Sequence, residues 1–233
     1  MIIIEFNGLP GSGKTTIAKG LYDECVRNEL SAVLYSRGYS RHYIIRKIQW
    51  GIRAFLYLLF TPKNLVRVVF KLSQHDNYRY KWDWLINYNR IKWYDNKADF
   101  LIVDQGAIQS VLSIIYNNCN QGQNNLIDDK AIGAFINGFN DYFSKCVIVN
   151  CNAPIESCVN RAKERPIILN SRTEKDGYGA YIKQQAQLDE LRHYVHNVAY
   201  TAIDIDTTLS IACSVDSIMQ LCGGLHKNRL IEC

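Results

Sequence analysis

Gly8-Leu9-Pro10-Gly11-Ser12-Gly13-Lys14-Thr15-Thr16 gathers three glycines, a lysine and three hydroxyls into nine consecutive residues. From Gly8 to Thr15 the pattern is G-x-x-x-x-G-K-[ST]. Before it runs an apolar stretch (Ile2, Ile3, Ile4, Phe6), and after it Ile17, Ala18 and Leu21 recur at helical spacing. A buried strand, a glycine-rich turn and a helix start, in that order, form a cradle for phosphate. The glycines let backbone N–H groups close on phosphate oxygens with no Cβ in the way, and the helix N-terminus adds partial positive charge. In that frame Gly8, Pro10, Gly11, Ser12 and Gly13 form the loop, and Lys14 reaches the β- and γ-phosphates. Thr15 offers its hydroxyl to Mg²⁺, and Thr16 adds a hydroxyl near the α-phosphate.

Phosphate chemistry also calls for a carboxylate and mobile cations. The segment ADFLIVDQG, residues 98–106, reads as an apolar strand ending in Asp104. At the carboxyl end of a strand beside a phosphate loop, an aspartate either holds a Mg²⁺-bound water or accepts a proton from an attacking hydroxyl. In PIESCVNRAKERP, residues 154–166, Arg161 and Arg165 stand at i and i+4 on one helix face. Arg172 follows in the polar stretch NSRTEKDGYG. Cations on a cover spanning residues 154–180 would neutralise a transferring phosphoryl group and help exclude water.

The elements that must position these groups alternate between strand and helix. Strands are expected at the N-terminus, at SAVLYS (31–36), at 98–104 and at CVIVN (146–150). Helices are expected after the loop, near 126–143 and after Pro154. Such alternation predicts a three-layer α/β fold with a mostly parallel sheet, built as one domain over residues 1–233. Residues 37–97 differ in character. They hold 13 Lys/Arg against 3 Asp/Glu, and 14 of the 27 aromatics, including all four tryptophans. Ile44, Ile48, Ile52, Phe55 and Leu59 step at helical intervals and Pro62 ends that run, so this stretch reads as a helical insertion after the second strand. Arg37, at the end of that strand, and Arg41 suit a clamp on an acceptor phosphate, and Trp82 suits stacking on a planar group. The same composition fits a grip on single-stranded nucleic acid, the less favoured reading.

With these residues in view, the chain resembles the P-loop nucleoside and nucleotide kinases, the thymidylate-kinase-like group in particular. The likeness rests on Gly8–Thr15, Asp104-Gln105-Gly106, the Arg161/Arg165 pair and the late segment Ile203-Asp204-Ile205-Asp206-Thr207-Thr208. It spans about residues 1–36 and 98–222 and leaves out the insertion. The resemblance implies a P-loop NTPase fold and Mg²⁺-dependent transfer of the γ-phosphoryl group of ATP to a nucleoside monophosphate or nucleoside. It also implies a base pocket lined by Asp206 and Thr207. Thymidylate kinases commonly follow their aspartate with arginine, where this chain has Gln105.

Composition and motifs weigh against several other classes. Hydrophobic content of 48% indicates a folded chain. Residues 150–153, Asn-Cys-Asn-Ala, lack the N-K-x-D pattern of guanine readers, so ATP is the expected donor. No basic leader precedes the isoleucines, and the longest uncharged apolar run, Ala54–Phe60, is far short of the roughly 20 residues that span a bilayer. A cytoplasmic protein is expected. Its partner is a small-molecule phosphate acceptor, and a homodimer is compatible with this reading. The eight cysteines form no C-x-x-C and suit buried, unpaired positions. The alternatives retained are kinases of a nucleic-acid 5′-hydroxyl or a sugar hydroxyl, and a noncatalytic ATP-dependent nucleic-acid-binding module.

Overall fold

Ile2–Asn7 form β1, buried at every position, because a continuous apolar run suits a strand covered on both faces. A computed structural model of the chain describes residues 1–35, 98–104, 106, 137, 139–164, 177–196 and 201–231. The further described elements are α1 (Lys14–Arg27), β2 (Ala32–Tyr35), β3 (Phe100–Val103), α2 (Asn140–Phe143) and β4 (Cys146–Asn152). They are followed by α3 (Ile155–Lys163), α4 (Tyr178–His196), β5 (Thr201–Asp206) and α5 (Ile211–Ile231). The strands make one sheet in the order β2-β3-β1-β4-β5, and every pairing is parallel.

Alternation along β1 divides its side chains between two layers. Ile2, Ile4 and Phe6 join Ile17, Ala18 and Leu21 of α1 and Val215, Ile218 and Cys222 of α5 in one core. Full burial of each large apolar side chain there stabilises the fold by about 1.5–3 kcal/mol. Ile3, Glu5 and Asn7 take the opposite face, where α2 supplies the buried Tyr142 and Phe143. The chain leaves β1 toward β2 on one side of the sheet and leaves β4 toward β5 on the other. Ligands of open α/β sheets bind outside the strand ends at such a reversal.

The fold expected from the sequence is the one observed, with two changes in extent. β4 continues past Asn150 to Asn152, because Cys151 and Asn152 pair with Ile205 and Asp206 of β5. Of the helix expected at 126–143, the described residues include α2 and little else. The insertion 37–97, with Arg37, Arg41 and Trp82, lies outside the described residues, as do Gln105, Arg165 and Arg172. Among the described cysteines, Cys25, Cys146, Cys151, Cys158 and Cys222 are buried and Cys213 is exposed, all as free thiols. No helix among the described residues is long and apolar enough to cross a membrane.

Candidate active site

The turn between β1 and α1 is set by backbone shape. Gly8, Gly11 and Gly13 all have positive φ, at 149°, 82° and 89°. Gly11 has a second constraint, since a Cβ there would lie 2.1 Å from the carbonyl oxygen of Cys158 on α3. A residue with a side chain would therefore be strained in φ and also driven into another helix's backbone. Ser12 N–H donates to Leu9 O at 3.1 Å, and Gly13 O accepts from Thr16 and Ile17 N–H at 3.0 and 3.1 Å, which opens α1. Lys14 turns back into this loop. Its Nζ donates to Gly8 O at 2.8 Å and Leu9 O at 2.6 Å, with Ser12 Oγ at 3.4 Å, and the residue is buried. The loop thus concentrates a lysine ammonium and a helix N-terminus at one point.

Asp104 follows β3, and its N–H continues the ladder by donating to Tyr35 O at 3.1 Å. Its carboxylate reaches the first turn of α1. Thr15 Oγ1 donates toward both oxygens, at 3.1 Å to Oδ1 and 3.0 Å to Oδ2. Residues 89 positions apart in sequence therefore meet as a hydroxyl and a buried carboxylate beside Lys14. These are hard oxygen donors of the type Mg²⁺ takes, usually with phosphate oxygens and water completing the shell. No cluster of three His, Cys, Asp or Glu able to hold a metal occurs among the described residues, so a cation at this pair would depend on such outside donors.

On the other side of the loop, Thr207 packs against Gly13. Its N–H and Oγ1 both bond to Asn152 O, at 2.9 and 3.0 Å. Arg161, exposed on α3, donates through Nη2 to Thr207 O at 3.4 Å. Asp206 accepts from Thr208 Oγ1 at 2.7 Å and Thr208 N–H at 2.9 Å. These two bonds, the hydroxyl's first, hold its carboxyl below the usual range. A cleft of about 570 Å³ opens here, lined by Leu9, Ser12, Asn152, Ile155, Arg192 and Asp206 among others. Small-molecule sites fall in this size range.

The structure therefore brings together the loop residues, Asp104, Arg161 and the Asp206–Thr207 turn. Two neighbours have no motif to announce them. Arg192 on α4 donates to Asn152 Oδ1 at 2.7 Å and to Asp189 Oδ1 at 3.1 Å. Asn152 Nδ2 donates to Asp204 Oδ1 at 3.3 Å, so this cluster ties α4 to the ends of β4 and β5. In sequence, Asp189 and Arg192 look like an ordinary surface pair on one helix. Cys151, at the same strand end, has its thiol pushed up to about 12, chiefly by burial and against the pull of Lys14. Burial keeps it a neutral thiol beside the loop.

No protein-family model matches the chain, and no curated protein is similar to it in sequence. Solved structures are similar in fold. Deoxyadenosine kinase from M. mycoides with the products dCMP and a flexible dCDP matches with a TM-score of 0.57 at 14% identity, over 96% of this chain and 100% of that one. The dATP-bound form gives 0.55 at 14% identity and the dCTP-bound form 0.52 at 13%, with the same coverage. With the sheet order and the loop after β1, these matches show the P-loop α/β fold.

Proposed function

We propose that this chain is a Mg²⁺- and ATP-dependent phosphotransferase that moves the γ-phosphoryl group to a small acceptor, a nucleoside or nucleoside monophosphate. The observation that carries this reading is the meeting of Thr15 Oγ1 with the Asp104 carboxylate beside Lys14. Sequence-distant residues supply hydroxyl, carboxylate and ammonium in one place, which is the set that metal–triphosphate chemistry uses. The fold likeness to deoxyadenosine kinase supports a nucleoside-type acceptor. The thymidylate-like sequence features keep the monophosphate beside it.

In this account the Gly8–Gly13 backbone and Lys14 hold the donor phosphates, and Thr15 and Asp104 hold Mg²⁺. Held by these two residues, Mg²⁺ would supply positive charge that offsets the donor phosphates. Both Asp104 oxygens face the Thr15 hydroxyl, which favours the metal shell over proton acceptance from an acceptor hydroxyl. Arg161, with Arg165 beyond it in the cover, supplies charge to the transferring group. Asp206 and Thr207 flank the donor base. Arg37, Arg41 and Trp82 of the insertion orient an anionic or planar acceptor.

The test is a screen of Mg²⁺-dependent ATP consumption over nucleosides, nucleoside monophosphates, sugars and 5′-hydroxyl oligonucleotides. Stimulation by one nucleoside or monophosphate is expected. Stimulation only by sugars or oligonucleotides would reassign the acceptor. Salt-sensitive oligonucleotide binding with no ATP consumption would favour a binding module instead.

A further inference from the structure

Glu5 is a charged residue in the middle of the central strand, and its exposure is 0%. A buried carboxylate costs several kcal/mol unless neighbours compensate it, so its surroundings ask for an explanation. In register it lies between Val103 of β3 and Ile148 of β4, on the face of β1 away from α1. Tyr142 of α2 donates its hydroxyl to Glu5 Oε2 at 2.5 Å, a length typical of a neutral hydroxyl on a carboxylate. The tyrosine's own ionisation is pushed far up by burial and by the Glu5 charge, so it stays a donor.

Above the carboxylate lies Gly106. A Cβ at that position would fall 2.1 Å from Glu5 Cδ and 2.4 Å from Oε2, so the Gly106 backbone rests directly on the carboxyl group. Val103, as the register partner of Glu5, shares its face. Asp104 is the next residue and takes the opposite one, where it meets Thr15 of α1. Asp104 and Gly106, two positions apart, therefore lie against opposite faces of the sheet, the first against Thr15 and the second against Glu5.

We propose that Glu5 is a positioning residue for the cation site: with Tyr142 it forms a buried seat for Gly106, two positions after Asp104, and so aims the Asp104 carboxylate at Thr15. Glu5 does not touch substrate or metal in this account. Its effect passes from Gly106 to Asp104, and the inference rests on the proposed role of Asp104 and Thr15 in holding Mg²⁺.

The experiment compares wild type, Gly106→Ala, Glu5→Gln and Tyr142→Phe. ATP affinity is measured by fluorescence or calorimetry in EDTA and in excess Mg²⁺, and thermal unfolding of each variant is followed without nucleotide. The proposal expects Gly106→Ala to bind ATP in EDTA within about twofold of wild type yet to lose about tenfold of the Mg²⁺-dependent gain. Glu5→Gln, which keeps the shape and loses the charge, should lose less. Tyr142→Phe should fall on the same side as Glu5→Gln. Folded variants that keep the full Mg²⁺ gain would overturn the seat. Equal losses in EDTA and Mg²⁺ would overturn it too, since they would mark general damage to the fold. Wild type that binds ATP with no Mg²⁺ gain removes the cation site itself, and the proposed function with it. That result is recognisable because it appears before any substitution is made.

Discussion

Lys14 shows what a motif conveys and what it leaves out. The G-x-x-x-x-G-K-T spacing is enough to propose its ammonium for phosphate, because loop and lysine are adjacent in the chain and need no tertiary information. The same spacing does not reveal that Nζ binds Gly8 O and Leu9 O within its own loop. Lys14→Ala should therefore lose phosphoryl transfer by at least about a hundredfold. It should also destabilise the fold by about 1–3 kcal/mol, the loss of charge-assisted bonds to two carbonyls. Single-turnover kinetics and denaturant unfolding check the two effects separately. Undiminished turnover in the folded variant would contradict the role. Thr15→Val, which keeps the branched shape and removes the hydroxyl, should weaken Mg²⁺ dependence by about tenfold and, by taking a donor from the buried Asp104 carboxylate, lower stability by about 1–3 kcal/mol. A metal titration of activity reads this directly, and an unchanged midpoint for Mg²⁺ would count against Thr15. Asp104 was legible as the polar end of an apolar strand, yet the meeting of both its oxygens with Thr15 is a tertiary contact that no local pattern reveals.

Helices and strands carry the next level of constraint, where local pattern and tertiary contact diverge. The apolar run of β1, the helical spacing of α1 and the apolar strand before Asp104 were plain because each is a periodicity within one segment. The last two residues of β4 were not, because Cys151 and Asn152 belong to the strand only through pairing with Ile205 and Asp206. Nor was the Arg192–Asn152 bond, which joins α4 to β4 across 40 residues. The fit of α3 against the loop is equally invisible in sequence, and it makes a sharp prediction. Gly11→Ala meets the Cys158 carbonyl and a φ of +82° at once, so it should cost more than about 2 kcal/mol and abolish ATP binding. A variant of wild-type stability would show that the loop can move away from α3. On that same helix, Arg161 makes one long hydrogen bond to Thr207 O and is exposed. Arg161→Ala should therefore lower kcat by about tenfold or more while leaving ATP affinity nearly unchanged. Equal losses in both would make it a ground-state binding residue.

At the scale of the whole molecule, a mostly parallel sheet was the most legible feature, since strands alternating with helices admit few other arrangements. The cysteines inside it give the fold a pH signature. Cys151 and Cys222 have thiols pushed up to about 12 and Cys25 to about 11, chiefly by burial. Below the ordinary thiol value of 9.0 these groups are protonated in folded and unfolded chains alike, and their contribution is fully present. From 9 up to about 11 for Cys25 and about 12 for Cys151 and Cys222, the unfolded chain loses protons that the native one keeps, so stability falls as pH rises, by about 1.4 kcal/mol per pH unit for each such thiol. Denaturant unfolding at pH 8 and pH 10.5 should show this slope, and Cys222→Ala should make it shallower. An unchanged slope in that variant would mean the thiol is not protected. What the sheet is for depends on its carboxyl edge, where Lys14, Thr15 and Asp104 converge. The most direct test follows the γ-phosphate of labelled ATP in the presence of Mg²⁺ and the acceptor chosen by the screen. The account predicts label on the nucleoside or nucleoside monophosphate, little label as free phosphate, and neither product from Thr15→Val at limiting Mg²⁺. Label released only as free phosphate, or retained on ATP while oligonucleotides bind, would contradict it.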